Sequence, residues 1–341
     1  DRIGDVLLST PVIRSLRDHY PSSFIAMMVD PKTRQLVEGN PYLDEVIVFD
    51  KDKNKGLIAT LRFARRLKRE KFDVIIVLHP TVRVHLLAFL AGIKERIGYL
   101  RKGSYFLTKS IPHYKQEGRK HESEYNFDLL RPLGISGISK QLYMPIKAAA
   151  ERVVEQTLIE AGIVKENILI AVNPAASCLS KIWPLSKLAK VIDRLQFNPN
   201  VRVLIVADNA HKELVEELLG MTKTIPLDFT GRFDLSCLAS LFKRVDLLIS
   251  NDSGPVHMAV AVGTPVISIF GRNQPGLGPK RWGPLGLSDV VLHKKTDCDP
   301  CLAHACEKEF RCLDAISVDE VILAAQKILK TTNLVSFRQR A

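Results

Sequence analysis

Two kinds of apolar spacing alternate along this chain. Short continuous apolar runs mark strands buried on both faces. Longer stretches with apolar residues three and four apart mark one-sided helices. In the first half the spacing predicts a helix over 11–20, strands over 24–29 and 46–49, and a helix over 57–71 with a basic face. A strand over 72–78 ending in His79-Pro80 follows, then a helix over 84–91. Residues 93–125 read as loop-rich and basic, 142–146 as a last extended segment, and 147–162 as a helix closed by glycine. A second alternation then begins. It has strands at 167–172, 201–207, 245–249, 265–270 and 289–293, and helices at 185–195, 211–219, 235–242, 259–262 and 316–329. Two successive β/α runs without a solenoid repeat predict an α/β protein of two doubly wound, Rossmann-like domains, 1–146 and 147–341.

The most informative polar interruption is Asn251-Asp252-Ser253-Gly254-Pro255-Val256-His257, between the 245–249 strand and the next helix. Turns of this kind lie at the carboxyl edge of a parallel sheet, where open α/β folds bind ligands. Pro255 suits the first position of a helix, where its missing N–H costs nothing. The free N–H groups of that helix would face an anion, commonly a phosphate. The plainer role is a cap at Asp252 or Ser253 and a core histidine at His257.

Composition changes the picture in three ways. The 341 residues, 46% hydrophobic and 25% charged, suit a globular protein of two domains. No apolar run approaches the roughly 18 residues of a membrane span. The net charge of +12 calls for an anionic partner: nucleic acid, an anionic membrane surface or an anionic substrate. Cations are dense over 51–120, yet few aromatics interleave with them and no nucleic-acid module is present. Arg65, Arg66, Lys68 and Arg69 also read simply as a solvated helix face.

Candidate chemistry gathers at few places. The opening Asp1-Arg2-Ile3-Gly4-Asp5 places a glycine and a carboxylate before a helix. Gly4 would allow a tight turn, and Asp5 would otherwise serve as a cap or dipole-matching charge. A doubly wound domain wants a strand ahead of this turn, so the first strand is expected upstream of the sequence. Lys181, in Ser177-Cys178-Leu179-Ser180-Lys181-Ile182-Trp183-Pro184, stands between a strand end and a helix start, where an ammonium can meet a diphosphate. Trp183-Pro184 reads as packing. Thr230-Gly231 supplies a flexible turn before the next helix. Neither a GxxxxGK[ST] loop nor a dinucleotide fingerprint occurs.

The ordered set resembles family 9 glycosyltransferases, the lipopolysaccharide heptosyltransferases. It comprises Arg2-Ile3-Gly4-Asp5, Lys181-Ile182-Trp183-Pro184, Thr230-Gly231, Asn251 through His257, Gly263-Thr264-Pro265 and Phe270-Gly271. The late cysteines look most like the heptosyltransferase II branch. The resemblance implies the GT-B architecture, with two doubly wound domains facing a cleft, acceptor on the first and nucleotide sugar on the second. It implies inverting transfer of heptose from ADP-L-glycero-D-manno-heptose to the lipopolysaccharide inner core, on Kdo/heptose-lipid A, by a cytoplasmic enzyme peripheral to the inner membrane. Asp5 matches the general base. Ser177, Lys181, Asp252, Ser253, Gly254 and His257 match donor contacts. Gly4, Thr230, Gly231 and Phe233 match a donor-site turn, Phe233 lying near the adenine. The family's glutamate on the donor ribose has no counterpart placed in Asp208-Asn209-Ala210-His211-Lys212-Glu213, which keeps open a GT-B transferase with another nucleotide sugar.

No Asp-x-Asp pair sits where a metal would bridge the diphosphate, so no cofactor is expected for transfer. The spacing Cys298-x2-Cys301-x4-Cys306-x5-Cys312, with His304 as a substitute ligand, suits a structural zinc, free packed thiols or, less well in a cytoplasmic setting, disulfides. A basic, zinc-containing nucleic-acid-binding module is the alternative of another class. It leaves Asp5, Lys181 and Asp252–His257 without a role, so no nucleic acid is expected.

Overall fold

The computed structural model describes residues 1–137, 139–298 and 300–339. The chain forms two compact units, Asp1–Gln141 and Leu142–Ala341. The division falls ahead of the 146/147 boundary expected from sequence. Residues 141–147 have no regular structure, and Leu142 and Met144 are buried. Helical periodicity marks where a helix starts, not where the linking segment packs.

Unit 1 contains helices α1 (Ile3–Leu7) and α2 (Thr10–His19), strands β1 (Ala26–Val29) and β2 (Glu45–Val48), helix α3 (Leu57–Arg69), strand β3 (Val74–Val77) and helix α4 (Val82–Leu90). Strands β4 (Glu95–Tyr99) and β5 (Lys109–Ile111) and helix α5 (Glu122–Asp128) complete it. Its strands pair in parallel as β1-β2 and as β3-β4-β5. Helix α3 buries Thr60, Phe63, Ala64 and Leu67, the one-sided spacing that forms it, and exposes Arg62, Arg65, Arg66, Lys68 and Arg69. That basic stretch is a solvated face, with Arg66 lying over the Phe63 ring.

Two expectations for this unit fail. Residues 93–125 hold two strands and a helix. Strand β4 carries charge at Glu95 and Arg96 and buries only its second half, so its apolar run is too short to read. Helix α5 starts with a capping box between His121 and Glu124. Gly4 makes no turn: it lies inside α1, whose Val6 and Leu8 N–H groups donate to Arg2 and Gly4 carbonyls. Asp5 therefore sits in a helical first turn.

Unit 2 contains α6 (Ala148–Glu160), β6 (Ile168–Asn173), α7 (Leu185–Gln196), β7 (Val201–Ile205), α8 (Lys212–Met221), β8 (Leu227–Asp228), α9 (Leu235–Arg244) and β9 (Leu247–Asn251). It continues with α10 (Gly254–Val262), β10 (Val266–Phe270), β11 (Val290–His293) and a helix over Val318–Gln339. Its six strands form one parallel sheet in the order β11-β10-β9-β6-β7-β8. The order runs outward from β6 on one side and from β9 on the other, the doubly wound arrangement. Strands β6, β9 and β10 are almost wholly buried, as continuous apolar runs require. A hydrophobic cluster including Ile170, Trp183, Val203, Ile249 and Ile267 joins the sheet to α7, α8 and the last helix. No helix among the described residues is long and apolar enough to cross a membrane.

Candidate active site

In unit 2 the strand order reverses between β6 and β9, and the loops leaving those two strands carry the polar cluster. Asn173 ends β6 in register with Ser250 of β9. Its Nδ2 donates to Ser250 Oγ at 3.0 Å and to Ser253 Oγ at 2.9 Å. Asn251 Nδ2 donates to the Pro174 carbonyl at 2.7 Å, and Asn251 Oδ1 accepts from the Trp183 N–H at 3.1 Å. Trp183 is fully buried and its Nε1–H donates to the Ile316 carbonyl at 3.3 Å. It is packing, as its sequence context suggests. These bonds tie the loop that carries Lys181 to the turn that carries Asp252.

Lys181 and Asp252 meet directly. Lys181 Nζ lies 2.9 Å from Asp252 Oδ2 and 3.2 Å from the Asp252 carbonyl. A second cation reaches the same oxygen: Arg272 Nη2 is 3.1 Å from Asp252 Oδ2. Asp252 and Arg272 are both buried. Arg272 was missed in the sequence, although it follows Phe270-Gly271 at the carboxyl end of β10. Gly271 explains its placement, since a Cβ there would stand 2.8 Å from the Ser180 carbonyl. Only glycine lets the two loops approach so closely.

Ser253 is the N-cap of α10, but its hydroxyl makes no capping bond and instead donates to the Asn251 carbonyl at 3.1 Å. The first turn of α10 is left without a side-chain cap. The helix starts at Gly254, ahead of the 259–262 apolar stretch, and Pro255, which suits a first helical position, occupies its second. A proline-led first turn is weakly apolar, which hid it from periodicity. His257 is buried on this helix.

The other expected donor residues lie on adjoining loops. Ser177 is exposed ahead of Lys181 and bonds to neither Lys181 nor Asp252. Gly231 adopts φ +67° and donates its N–H to the Ala207 carbonyl at 2.8 Å, which sets the 230–233 turn beside the loop after β7. Thr230 N–H donates to Asp228 Oδ1 at 2.8 Å, and the Phe233 ring meets the buried Phe229 edge-on at 5.4 Å. In the loop after β7, His211 bridges Asp208 Oδ1 at 2.6 Å and the Ala176 carbonyl at 3.3 Å.

In unit 1, Asp5 is half-buried and pairs with no cation among the described residues. His79, just past β3, stands close enough to feel its charge. Partial burial holds the His79 pKa below the ordinary histidine value, Asp5 opposes that, and Lys51 and Lys115 reinforce it. Lys115 is buried, with Nζ 2.5 Å from Glu122 Oε1 and 3.0 Å from Asn126 Oδ1. Lys115 and Glu122 both lie in the 93–125 stretch that reads as loop, so their pairing has no periodic signal.

Cys298, Cys301, Cys306 and Cys312 line one cavity of about 200 Å³, with Ser180 and Arg272 in its wall. All are free thiols. Burial raises the Cys312 thiol, and the three neighbouring thiols add to that. Among the described residues no group of three or more His, Cys, Asp or Glu is placed to hold a metal ion. The zinc expectation rests on spacing alone.

Comparison with known proteins places this geometry. The glycosyltransferase family 9 (heptosyltransferase) model matches residues 60–310. Lipopolysaccharide heptosyltransferase 3 of Escherichia coli is 30% identical over 275 residues, 79% of this chain and 80% of that protein. A family 9 glycosyltransferase structure from Veillonella parvula superposes with a TM-score of 0.87 at 26% identity, covering 97% of this chain and 95% of that one. The E. coli structure described as ADP-heptose lps heptosyltransferase II gives a TM-score of 0.80 at 19% identity, covering 98% and 97%. The chain belongs to glycosyltransferase family 9, and its fold is GT-B with two Rossmann-like domains. Relatives of types 1, 2 and 3 all match, so the expected leaning to heptosyltransferase II is not singled out.

Proposed function

We propose that this glycosyltransferase moves a heptose from ADP-L-glycero-D-manno-heptose to the lipopolysaccharide inner core with inversion. One observation carries the reading. At the switch point of unit 2, a lysine and a buried aspartate are locked together before an uncapped helix start. This suits a diphosphate: Lys181 supplies a point charge and α10 supplies N–H groups. The likeness to an E. coli ADP-heptose lps heptosyltransferase and to an E. coli lipopolysaccharide heptosyltransferase supports the donor and acceptor classes.

In the reaction, Asp5 takes the proton of the acceptor hydroxyl as its oxygen bonds to the anomeric carbon. The bond from that carbon to the diphosphate oxygen breaks, and ADP leaves with the electron pair, held by Lys181. Positioned base catalysis contributes about 10²–10⁴-fold. His79 stands near Asp5, and burial holds its pKa below the ordinary histidine value.

Calorimetric binding of ADP-heptose, beside UDP- and GDP-sugars, tests this reading. Selective binding of ADP-heptose is expected, weakened about 10- to 100-fold in Lys181→Ala. Asp5→Ala should bind normally but transfer about 10²–10⁴-fold more slowly. Preference for another nucleotide sugar discards the heptose donor. Absence of any nucleotide-sugar binding discards the site.

A further inference from the structure

We infer that Arg272 is a second cationic ligand of the donor diphosphate, beside Lys181, and stabilises it as a leaving group. This rests on the donor-site reading above and adds a residue to it.

A buried carboxylate needs one counter-charge, and Asp252 already has Lys181 at 2.9 Å. Arg272 adds a second on the same oxygen, at 3.1 Å. Neither cation has another carboxylate partner among the described residues. One positive charge is therefore left over in a site where Arg272 is only 8% exposed. Burying a cation without an anion is expensive, and evolution keeps such a charge where an anion will meet it.

The hydrogen-bond inventory agrees. A guanidinium carries five N–H donors in a planar fork. Only Nη2 is engaged with Asp252, and Nε is buried without a partner. A buried, unused donor on a fork suited to phosphate oxygens favours bidentate anion binding over simple ion pairing. The third observation is position. Gly271, squeezed against the Ser180 carbonyl, brings Arg272 to the Lys181 loop, and both meet the turn before the uncapped start of α10. Two cations and one helix terminus thus converge on one spot, and Asp252 holds both cations in place before the ligand arrives.

A diphosphate gains charge on its bridging oxygen as the bond to the anomeric carbon breaks. A preset guanidinium therefore binds the departing group more tightly than the intact donor. Arg272 should lower the rate of transfer when removed as well as the affinity for the product nucleotide.

The test is calorimetry of wild type, Arg272→Gln and Arg272→Lys with ADP, UDP, GDP and adenosine. The expected result is an ADP affinity about 10- to 100-fold weaker in R272Q, partly recovered in R272K, with adenosine binding unchanged. The same comparison in an Asp252→Asn background separates ligand from scaffold. As a diphosphate ligand, Arg272 still matters there. If it serves only to neutralise Asp252, the effect of R272Q disappears in D252N, and the inference is overturned. Unchanged ADP affinity in R272Q overturns it too. Should R272Q fail to fold, R272K in the D252N background decides the question. If wild type prefers UDP or GDP, the ADP-heptose reading fails while the Arg272 comparison proceeds on the preferred nucleotide. If wild type binds no nucleoside diphosphate, both fall.

Discussion

The two units solve the same packing problem differently. Unit 2 closes one six-stranded parallel sheet, with a large hydrophobic cluster around Trp183, Val203 and Ile249 and further buried residues, among them Leu204, Phe242, Leu248 and Phe270, outside it. Unit 1 has sheets of two and three strands and divides its core among separate clusters around Phe63, Leu130 and Ile97. The difference shows in the candidate residues. In unit 2 Asn173, Ser250 and Asn251 at the strand ends bond to one another and to the neighbouring loops, which fixes where Lys181 and Asp252 stand. In unit 1, Asp5, His79 and Lys115 hang on short elements and loops. A continuous sheet sets charges precisely enough for a small ligand of constant shape, whereas a divided core leaves a surface that can give.

The largest expected consequence concerns the cores. Trp183→Ala removes a fully buried indole from the cluster and its Nε1–H hydrogen bond to the Ile316 carbonyl, and leaves the backbone bond to Asn251 in place. It should destabilise unit 2 by about 3–5 kcal/mol. Leu130→Ala, in a small cluster with room to collapse, should cost unit 1 roughly 2–3 kcal/mol. Thermal unfolding followed by hydrogen exchange resolves the units. Equal losses would mean that the clusters of unit 1 act as one core and would remove the contrast.

The same contrast explains what could be read from the sequence. Unit 2 was legible because strands buried on both faces leave continuous apolar runs, as in 245–249 and 265–270, and its helices alternate with them. The 251–257 turn stood out as polar residues between such runs. Arg272 did not, since an arginine after a glycine looks like any loop cation until the fold brings it to Asp252. In unit 1, β4 and β5 were hidden by Glu95, Arg96 and Lys109, charges that a short, half-exposed strand tolerates. Lys115 looked like one more surface lysine. Its burial comes from Glu122 and Asn126, on a helix whose start is signalled only by the His121–Glu124 capping box. Pairings across long sequence separations carry no local periodicity, and the candidate sites consist of such pairings.

A smaller effect tests whether the contrast extends to turns. Gly231 holds φ +67°, and a Cβ there would fall 1.7 Å from Asn209 Oδ1. Asn209 can swing aside, so the cost of Gly231→Ala comes mainly from the left-handed backbone, about 1–2 kcal/mol. Adding Asn209→Ala should recover little. Gly103→Ala in unit 1, at φ +87° against Val82, should cost a similar amount. Matching values from denaturant unfolding would confine the difference between the units to their cores. A much larger loss at Gly231 would show that the six-stranded sheet also constrains its turns.

The smallest effect is in pH. His85 is fully buried in α4, and burial holds its pKa below the usual 6.5. His79 and His113 in the same unit are lowered for the same leading reason, while His293 is the lowered histidine described in unit 2. A histidine with a depressed folded pKa binds fewer protons folded than unfolded over the interval between the two values. Its contribution to stability is therefore complete above 6.5 and is lost as pH falls from there through the folded pKa. Acid should loosen unit 1 first, and His85→Leu should flatten that dependence by removing the proton uptake. Hydrogen exchange at pH 7.5 and pH 5.5 reads each unit separately. Equal loosening of both units, or no change in slope with His85→Leu, would show that the divided core of unit 1 is no easier to open than the core of unit 2.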